Sequence, residues 1–264
     1  MKMLNHFSAW FQDLRNHPED YYLILTDDMD SYYSCRYLKK MFGLEIGGFY
    51  RFGKGLYLFH EYKDSGKDPV FIDCAVVKDG VMTFDNHRSL VINHMSINPN
   101  LITDRASTKY YNKKYCGSTL MLLYALYGGE LSELEKQFIL AMDGFYIGYY
   151  KDNGKYRDIN ISWLRELGIE KELLPVLEQH DMQFFQDLIA KYQLTEKIYM
   201  SSNNTLFTFA DILPNEQLIQ VMHTHCRKIT KEELLASPLG DKTLFTAAET
   251  YNGYYIADYE GLEE

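Results

Sequence analysis

Residues 21–25, Tyr-Tyr-Leu-Ile-Leu, form a short apolar run that ends abruptly in Thr26-Asp27-Asp28-Met29-Asp30-Ser31. An apolar run that stops at polar residues and gives way to a helical pattern is the signature of a βα unit. The helix-compatible stretch from Tyr32 to Phe42 follows, with Gly43 placed to end it. Val70-Phe71-Ile72 is a second strand candidate and stops at Asp73. Val81 to Phe84 is a third and stops at Asp85. Leu120 to Tyr127 reads as a buried helix closed by Gly128-Gly129. Ser132 and Glu135 have the spacing of a capping box, which starts a helix running to about Ala141 and leading into Asp143. Strands alternating with helices predict a mostly parallel sheet flanked by helices over residues 1–150. In such sheets ligands bind beyond the carboxyl ends of the strands, where Asp28, Asp30, Asp73 and Asp85 would gather.

The texture changes at Lys151-Asp152-Asn153-Gly154-Lys155. Residues 162–192 read as helical with an interruption near Pro175. Strand-like runs follow at Ile198–Met200, Thr205–Phe209, Leu218–Met222 and Gly253–Tyr259. The expectation is an α/β chain in three parts: a first domain over 1–150, a helical linker over 151–195, and a small α+β domain over 196–264. No internal repeat is visible.

Charge follows the same boundary. The chain has 27 basic and 37 acidic side chains, a formal net charge of −10, and residues 1–150 hold 16 of the basic and 18 of the acidic groups. The acidity therefore belongs mainly to the C-terminal part. A strongly acidic chain is a poor partner for long duplex nucleic acid or an anionic membrane. The longest apolar run is far short of a membrane span, and no signal-peptide pattern opens the sequence. Cys35, Cys74, Cys116 and Cys226 lack CxxC spacing, which excludes a zinc knuckle and points to a reducing, cytoplasmic compartment. Oligomeric state is left open.

Several carboxylates at successive strand ends repel one another unless protons or cations neutralise them. Mg²⁺ and Mn²⁺ are natural counter-charges for oxygen ligands. Asp28-Met29-Asp30 after the first strand, Asp73 ending the second, Asp85-Asn86-His87, and the Gly117-Ser118-Thr119 helix start followed by Asp143 come in the order of the motifs of the DHH phosphoesterase superfamily. The chain resembles that superfamily over roughly residues 20–150. Its members include RecJ-like exonucleases, nanoRNase-type oligoribonucleases, cyclic-dinucleotide phosphodiesterases and family II pyrophosphatases. The resemblance implies a Mn²⁺- or Mg²⁺-dependent hydrolase of a small phosphodiester or phosphoanhydride, such as a short oligonucleotide or cyclic dinucleotide. It implies Asp28, Asp30, Asp73 and Asp143 as metal ligands, with Asn86 in a ligand position. His87 would contact the scissile phosphate and Asp85 would orient its neighbours. Arg88, Ser118 and Thr119 would bind substrate.

The departures are definite. Asn86 stands where the family has a metal-binding His, and Ile24-Leu25-Thr26 stands where many members have another. The family's glycine-rich C-terminal segment has no match; Asn252-Gly253-Tyr254-Tyr255 is the nearest sequence. Three states fit: two metals held by oxygen alone, with Asp27 as a spare carboxylate, one metal, or a degenerate module that binds a nucleotide or protein without hydrolysis. His94 is a candidate replacement imidazole. His223-Thr224-His225 lacks a nearby carboxylate, which makes it a surface or structural pair. Arg51, Lys54, Arg88 and Arg105 are candidate phosphate holders, each equally readable as a solvated charge. Gly47-Gly48 and Gly53-Lys54-Gly55 do not meet the requirements of a dinucleotide fingerprint. Tyr110-Tyr111, Tyr149-Tyr150 and Tyr254-Tyr255 could stack bases, but packing is the better default.

Overall fold

The computed structural model describes residues 7–101, 112–236, 243–250 and 252–261. Arg105 and the pair Tyr110-Tyr111 lie outside the described residues. Within them the chain runs α1 (Trp10–Asn16), β1 (Tyr21–Leu25), α2 (Met29–Phe42), β2 (Ile46–Arg51), β3 (Gly55–Phe59), β4 (Asp68–Ile72), β5 (Thr83–Phe84) and β6 (Ser96–Ile97). Next come α3 (Thr119–Tyr127), α4 (Glu133–Ala141), α5 (Phe145–Gly154), α6 (Arg157–Leu167), α7 (Glu170–Gln179) and α8 (Met182–Tyr192). The last elements are β7 (Tyr199–Met200), β8 (Leu206–Phe207), β9 (Leu218–Ile229), α9 (Lys231–Ala236), β10 (Leu244–Glu249) and β11 (Tyr255–Glu260). No helix among the described residues is long and apolar enough to cross a membrane.

The fold is α/β, built on a nine-stranded sheet in the order β10-β11-β9-β3-β2-β1-β4-β5-β6. The expectation of a mostly parallel sheet needs correction. β2, β1, β4, β5 and β6 are parallel, as the βα pattern requires. From β2 onward through β3, β9, β11 and β10 every pairing is antiparallel. The strands after residue 196 are thus divided. β7 and β8 form a separate two-stranded sheet, while β9 pairs with β3 and extends the sheet begun at the N-terminus.

β1 is buried on both faces, as a central parallel strand must be. Its alternate residues serve two cores. Leu23 and Leu25 face the main core, filled by α1 to α8 with Trp163, Phe145, Leu122 and Phe185 at its centre. Tyr22 and Ile24 face a second core that contains no helical residue. Helices therefore cover one face of β1, not two. The other face is covered because the sheet curls. β10 bridges back to the segment after β4 through Val76 and Thr246, with Ala247 N–H donating to the Ala75 carbonyl at 3.1 Å. Inside the curl, Tyr50, Phe71 and Phe245 meet with ring centroids 5.2 to 5.9 Å apart.

Residues 151–195 do not hang between bodies as a linker would. Trp163, Leu164, Leu173, Leu177 and Phe185 are buried in the same core as α2 and α3. Pro175 does not interrupt the helical stretch; α7 runs through it. The breaks fall instead at Gly168, in the left-handed conformation, and at His180-Asp181, where Asp181 caps α8. The Ser132–Glu135 capping box is formed as its spacing predicts.

Gly55 sits where β3 meets β9, with φ +120°, and a Cβ there would lie 1.8 Å from the Met222 carbonyl oxygen. Gly43 ends α2 with φ +74° and open space around it. Gly55→Ala is expected to cost well over 2 kcal/mol, strain plus a backbone clash, and Gly43→Ala about 1 kcal/mol, strain alone. Urea denaturation midpoints of the two variants check this order.

Candidate metal centre

The site is assembled by the loops that leave β1, β4 and β5 at their common carboxyl edge. After β1, the Thr26 hydroxyl donates to the Ile72 and Asp73 carbonyls, and the Ser31 hydroxyl to the Ile72 carbonyl. These bonds bind the start of α2 to the end of β4. Asp28 caps α2 by accepting the Ser31 N–H at 3.1 Å, a role short polar side chains fill well. Asp73 follows β4 directly and has φ +55°. Asp143, between α4 and α5, also has φ +55°. Left-handed backbone at a non-glycine residue is strained, and of the three acids that adopt it, Asp73, Asp143 and Asp152, the first two belong to the site.

Four carboxylates lie near enough to influence one another here, and among the described residues only Asp73 joins a group tight enough to share a metal ion, with Asp85 and His87. Asp30 and Asp73 are buried. Burial is the largest influence on each, and it lifts their carboxyl pKa values well above the ordinary range. Neighbouring charge adds to the effect: Asp73, Asp143 and Asp28 act on Asp30, and Asp28 and Asp143 act on Asp73. Asp143, exposed as a residue, is raised by desolvation of its carboxyl and then by Asp28. His87 sits among them, its Nδ1 2.7 Å from Asp85 Oδ1 and 4.0 Å from Asp73 Oδ1. Burial pushes the imidazole toward neutrality, but Asp85, Asp73 and Asp143 outweigh it and raise its pKa to about 10. One ligand atom from each of Asp73, Asp85 and His87 can be chosen so that all three lie within 4.8 Å of one another.

The four acids differ in what already holds them. Asp30 Oδ2 accepts the Thr119 N–H at 2.7 Å and Oδ1 the Leu120 N–H at 3.0 Å. This carboxylate is thereby clamped on the first turn of α3, where helix N–H groups lack intrahelical partners. The Thr119 hydroxyl donates to Asp73 Oδ1 at 2.8 Å. Asp73 keeps its second oxygen for another partner. Asn86 is held through its NH2 group, which leaves its Oδ1 out of these bonds. Its amide donates to the Gly117 carbonyl at 3.0 Å and to Asp143 Oδ2 at 2.5 Å.

The remaining expected residues are scattered. Ser118 is buried as the N-cap of α3, accepting the Met121 N–H. Arg88 is buried and paired with Glu249 at 3.2 Å, so its charge is spent on β10. His94 is exposed and paired with Asp79, away from the acids it was weighed as serving. His225 stacks on Tyr259. Arg51 is exposed at the end of β2. Of the tyrosine pairs among the described residues, Tyr149 and Tyr255 are buried and the Tyr150 hydroxyl donates to the Leu177 carbonyl, whereas Tyr254 is exposed.

Three site residues escape the sequence reading. The Asn98 amide donates to Asp85 Oδ2 and to the His87 carbonyl. The Asn100 amide donates to the Asn86 and Tyr115 carbonyls. Asn98-Pro99-Asn100 is thus the frame that holds residues 85–87, and two buried asparagines flanking a proline were its only trace in the sequence. Lys197 reaches the acids from far along the chain, 3.4 Å from Asp27 Oδ1 and 3.8 Å from Asp28 Oδ2. Compared with protein-family models, curated proteins and solved structures, the chain matches none.

A carboxyl whose pKa is raised on folding holds its proton more tightly in the native state. Its stabilising contribution is full below the unfolded value near 4 and is lost as pH rises through the folded value. The His87 contribution runs the same way, full below about 6.5 and lost as pH rises through about 10. Metal-free protein is therefore expected to lose thermal stability as pH rises above 4, and Asp73→Asn to flatten that decline. Mn²⁺ is expected to raise the melting temperature more at pH 8 than at pH 5, because its ligands must be deprotonated. Melting curves in EDTA and in Mn²⁺ check both statements.

Proposed function

We propose that this chain is a divalent-cation-dependent phosphoesterase of the DHH type, acting on a small phosphodiester or phosphoanhydride. The observation that carries the reading is the buried Asp73 against the Asp85–His87 pair, with the half-buried Asp28 and the exposed Asp143 beside them, at the carboxyl edge of parallel strands. The donor set fits a hard cation. Its free lone pairs are carboxylate oxygens, its net charge is negative, and Asp73 and Asp143 are raised mainly by desolvation and then by Asp28. Mg²⁺ or Mn²⁺ bound there would supply Lewis-acid polarisation of a phosphoryl oxygen and a more acidic water.

The side chains divide the remaining work. Asp73 offers the oxygen not engaged by Thr119. Asp30 fixes α3 against α2, which sets the position of Thr119 and so of Asp73. Asp85 accepts the Nδ1–H of His87, so the Nε2–H of the imidazolium is the atom left to donate to a phosphate oxygen or to the leaving oxygen. In hydrolysis a water oxygen bonds to phosphorus, the bond to the leaving oxygen breaks, and that oxygen takes a proton. A small substrate suits the acidity of the chain better than a long polyanion does.

One observation favours a second reading, a module that binds without hydrolysis. Asn86 spends its amide on Asp143 and the Gly117 carbonyl, so part of the negative charge is answered by a hydrogen bond. The two readings separate on turnover. With Mn²⁺, the purified protein is expected to hydrolyse bis-p-nitrophenyl phosphate. Asp73→Ala and Asp143→Ala are expected to abolish turnover, and Asp85→Asn to lower it by roughly 10- to 100-fold. Retention of Mn²⁺ without any turnover would favour the second reading. Unchanged turnover in Asp73→Ala would remove the first.

A further inference from the structure

The hairpin of β7 and β8 carries three exposed aromatic rings in mutual contact. Tyr199 and Phe207 are cross-strand partners, stacked with centroids 5.4 Å apart and planes at 26°. Phe209 closes the group at 6.1 Å from Phe207 and 6.3 Å from Tyr199, and is 74% exposed. Soluble proteins rarely leave such a cluster bare without a use for it.

Its position joins it to the acidic site. The Ile198 N–H donates to the Asp27 carbonyl at 2.9 Å, and Lys197 bridges to Asp28. Residues 197–199 run exposed, buried, exposed, so Lys197 and Tyr199 share the outward face of an extended segment. An ammonium beside the carboxylates, with exposed flat rings next to it on the same face of the segment, is complementary to a nucleotide and not to a bare phosphoanhydride.

We infer that Tyr199, Phe207 and Phe209 form a stacking platform for a planar base attached to the phosphate held at the Asp28–Asp73–Asp143 edge. This rests on the phosphoesterase reading for the phosphate and adds to it the part that selects substrate. Every base has a π-face, so the platform favours nucleotides over ring-free phosphates without choosing among bases.

The test is calorimetric titration of the full chain, in magnesium buffer, with adenosine 5′-monophosphate and with ribose 5-phosphate. Adenosine 5′-monophosphate is expected to bind about tenfold more tightly. Phe209→Ala is expected to cancel that advantage while leaving ribose 5-phosphate unchanged, and Phe209→Trp to keep it. The exposure of Phe209 makes these variants safe for folding. Equal affinity for the two probes, no binding of either, or equal weakening of both by Phe209→Ala would overturn the platform. So would a dimer in sedimentation that Phe209→Asp dissolves, since the rings would then be covered by a second copy. Hydrolysis of bis-p-nitrophenyl phosphate by the same preparations separates the two ideas. Turnover with equal probe affinities removes the platform alone, and discrimination without turnover removes hydrolysis alone.

Discussion

Negative charge held out of water at one sheet edge is the constraint on which the rest of the molecule turns. Asp30 and Asp73 are buried, and the nearby charges of Asp28 and Asp143 raise the cost of ionising them further. A hydrophobic isostere would avoid that cost. The chain instead surrounds the acids with fixed donors. The first turn of α3 answers Asp30, the Thr119 hydroxyl answers Asp73, and the Asn86 amide answers Asp143. Lys197 and His87 bring positive charge from distant parts of the chain.

The architecture follows from that edge. Parallel pairing of β1, β4 and β5 brings three loop starts to one side, and the Thr26 and Ser31 hydroxyls stitch two of them together. The asparagines of Asn98-Pro99-Asn100 hold the third. The antiparallel half of the sheet serves a different purpose. By curling until β10 meets the segment after β4, it covers the face of β1 that the helices leave bare, with Tyr50, Phe71 and Phe245 as its filling. Arg88, directly after Asp85-Asn86-His87, is tied to that half through Glu249. The site is thus fastened to both halves of the sheet.

What the sequence made legible was local. The abrupt ends of apolar runs at Asp28, Asp73 and Asp85 marked the strand termini, and the capping residues marked α3 and α4. Gly47 and Gly48 hid β2, because glycine carries no hydrophobic signal. In β9 most side chains between the buried Leu218, Thr224 and Ile229 are exposed or half-buried, so its 12 residues register only as the short apolar run Leu218–Met222. A strand that earns its place through backbone pairing with β3 and β11, and not through burial, leaves little trace in composition. The acids of the site were legible because type and order survive without geometry. Lys197, Asn98 and Asn100 were not, since their roles arise from contacts that fold closure creates. Asn86 was legible as a departure, yet its bond to Asp143 was not.

The central claim is that the charge left at this edge is the seat of a divalent cation. Crystals grown with Mn²⁺ and measured at the manganese absorption edge test it most directly. The expected result is an anomalous difference peak within coordination distance, about 2.2 Å, of carboxylate oxygens from Asp28, Asp73 and Asp143. A map at full Mn²⁺ loading with no peak among these three acids would contradict the account.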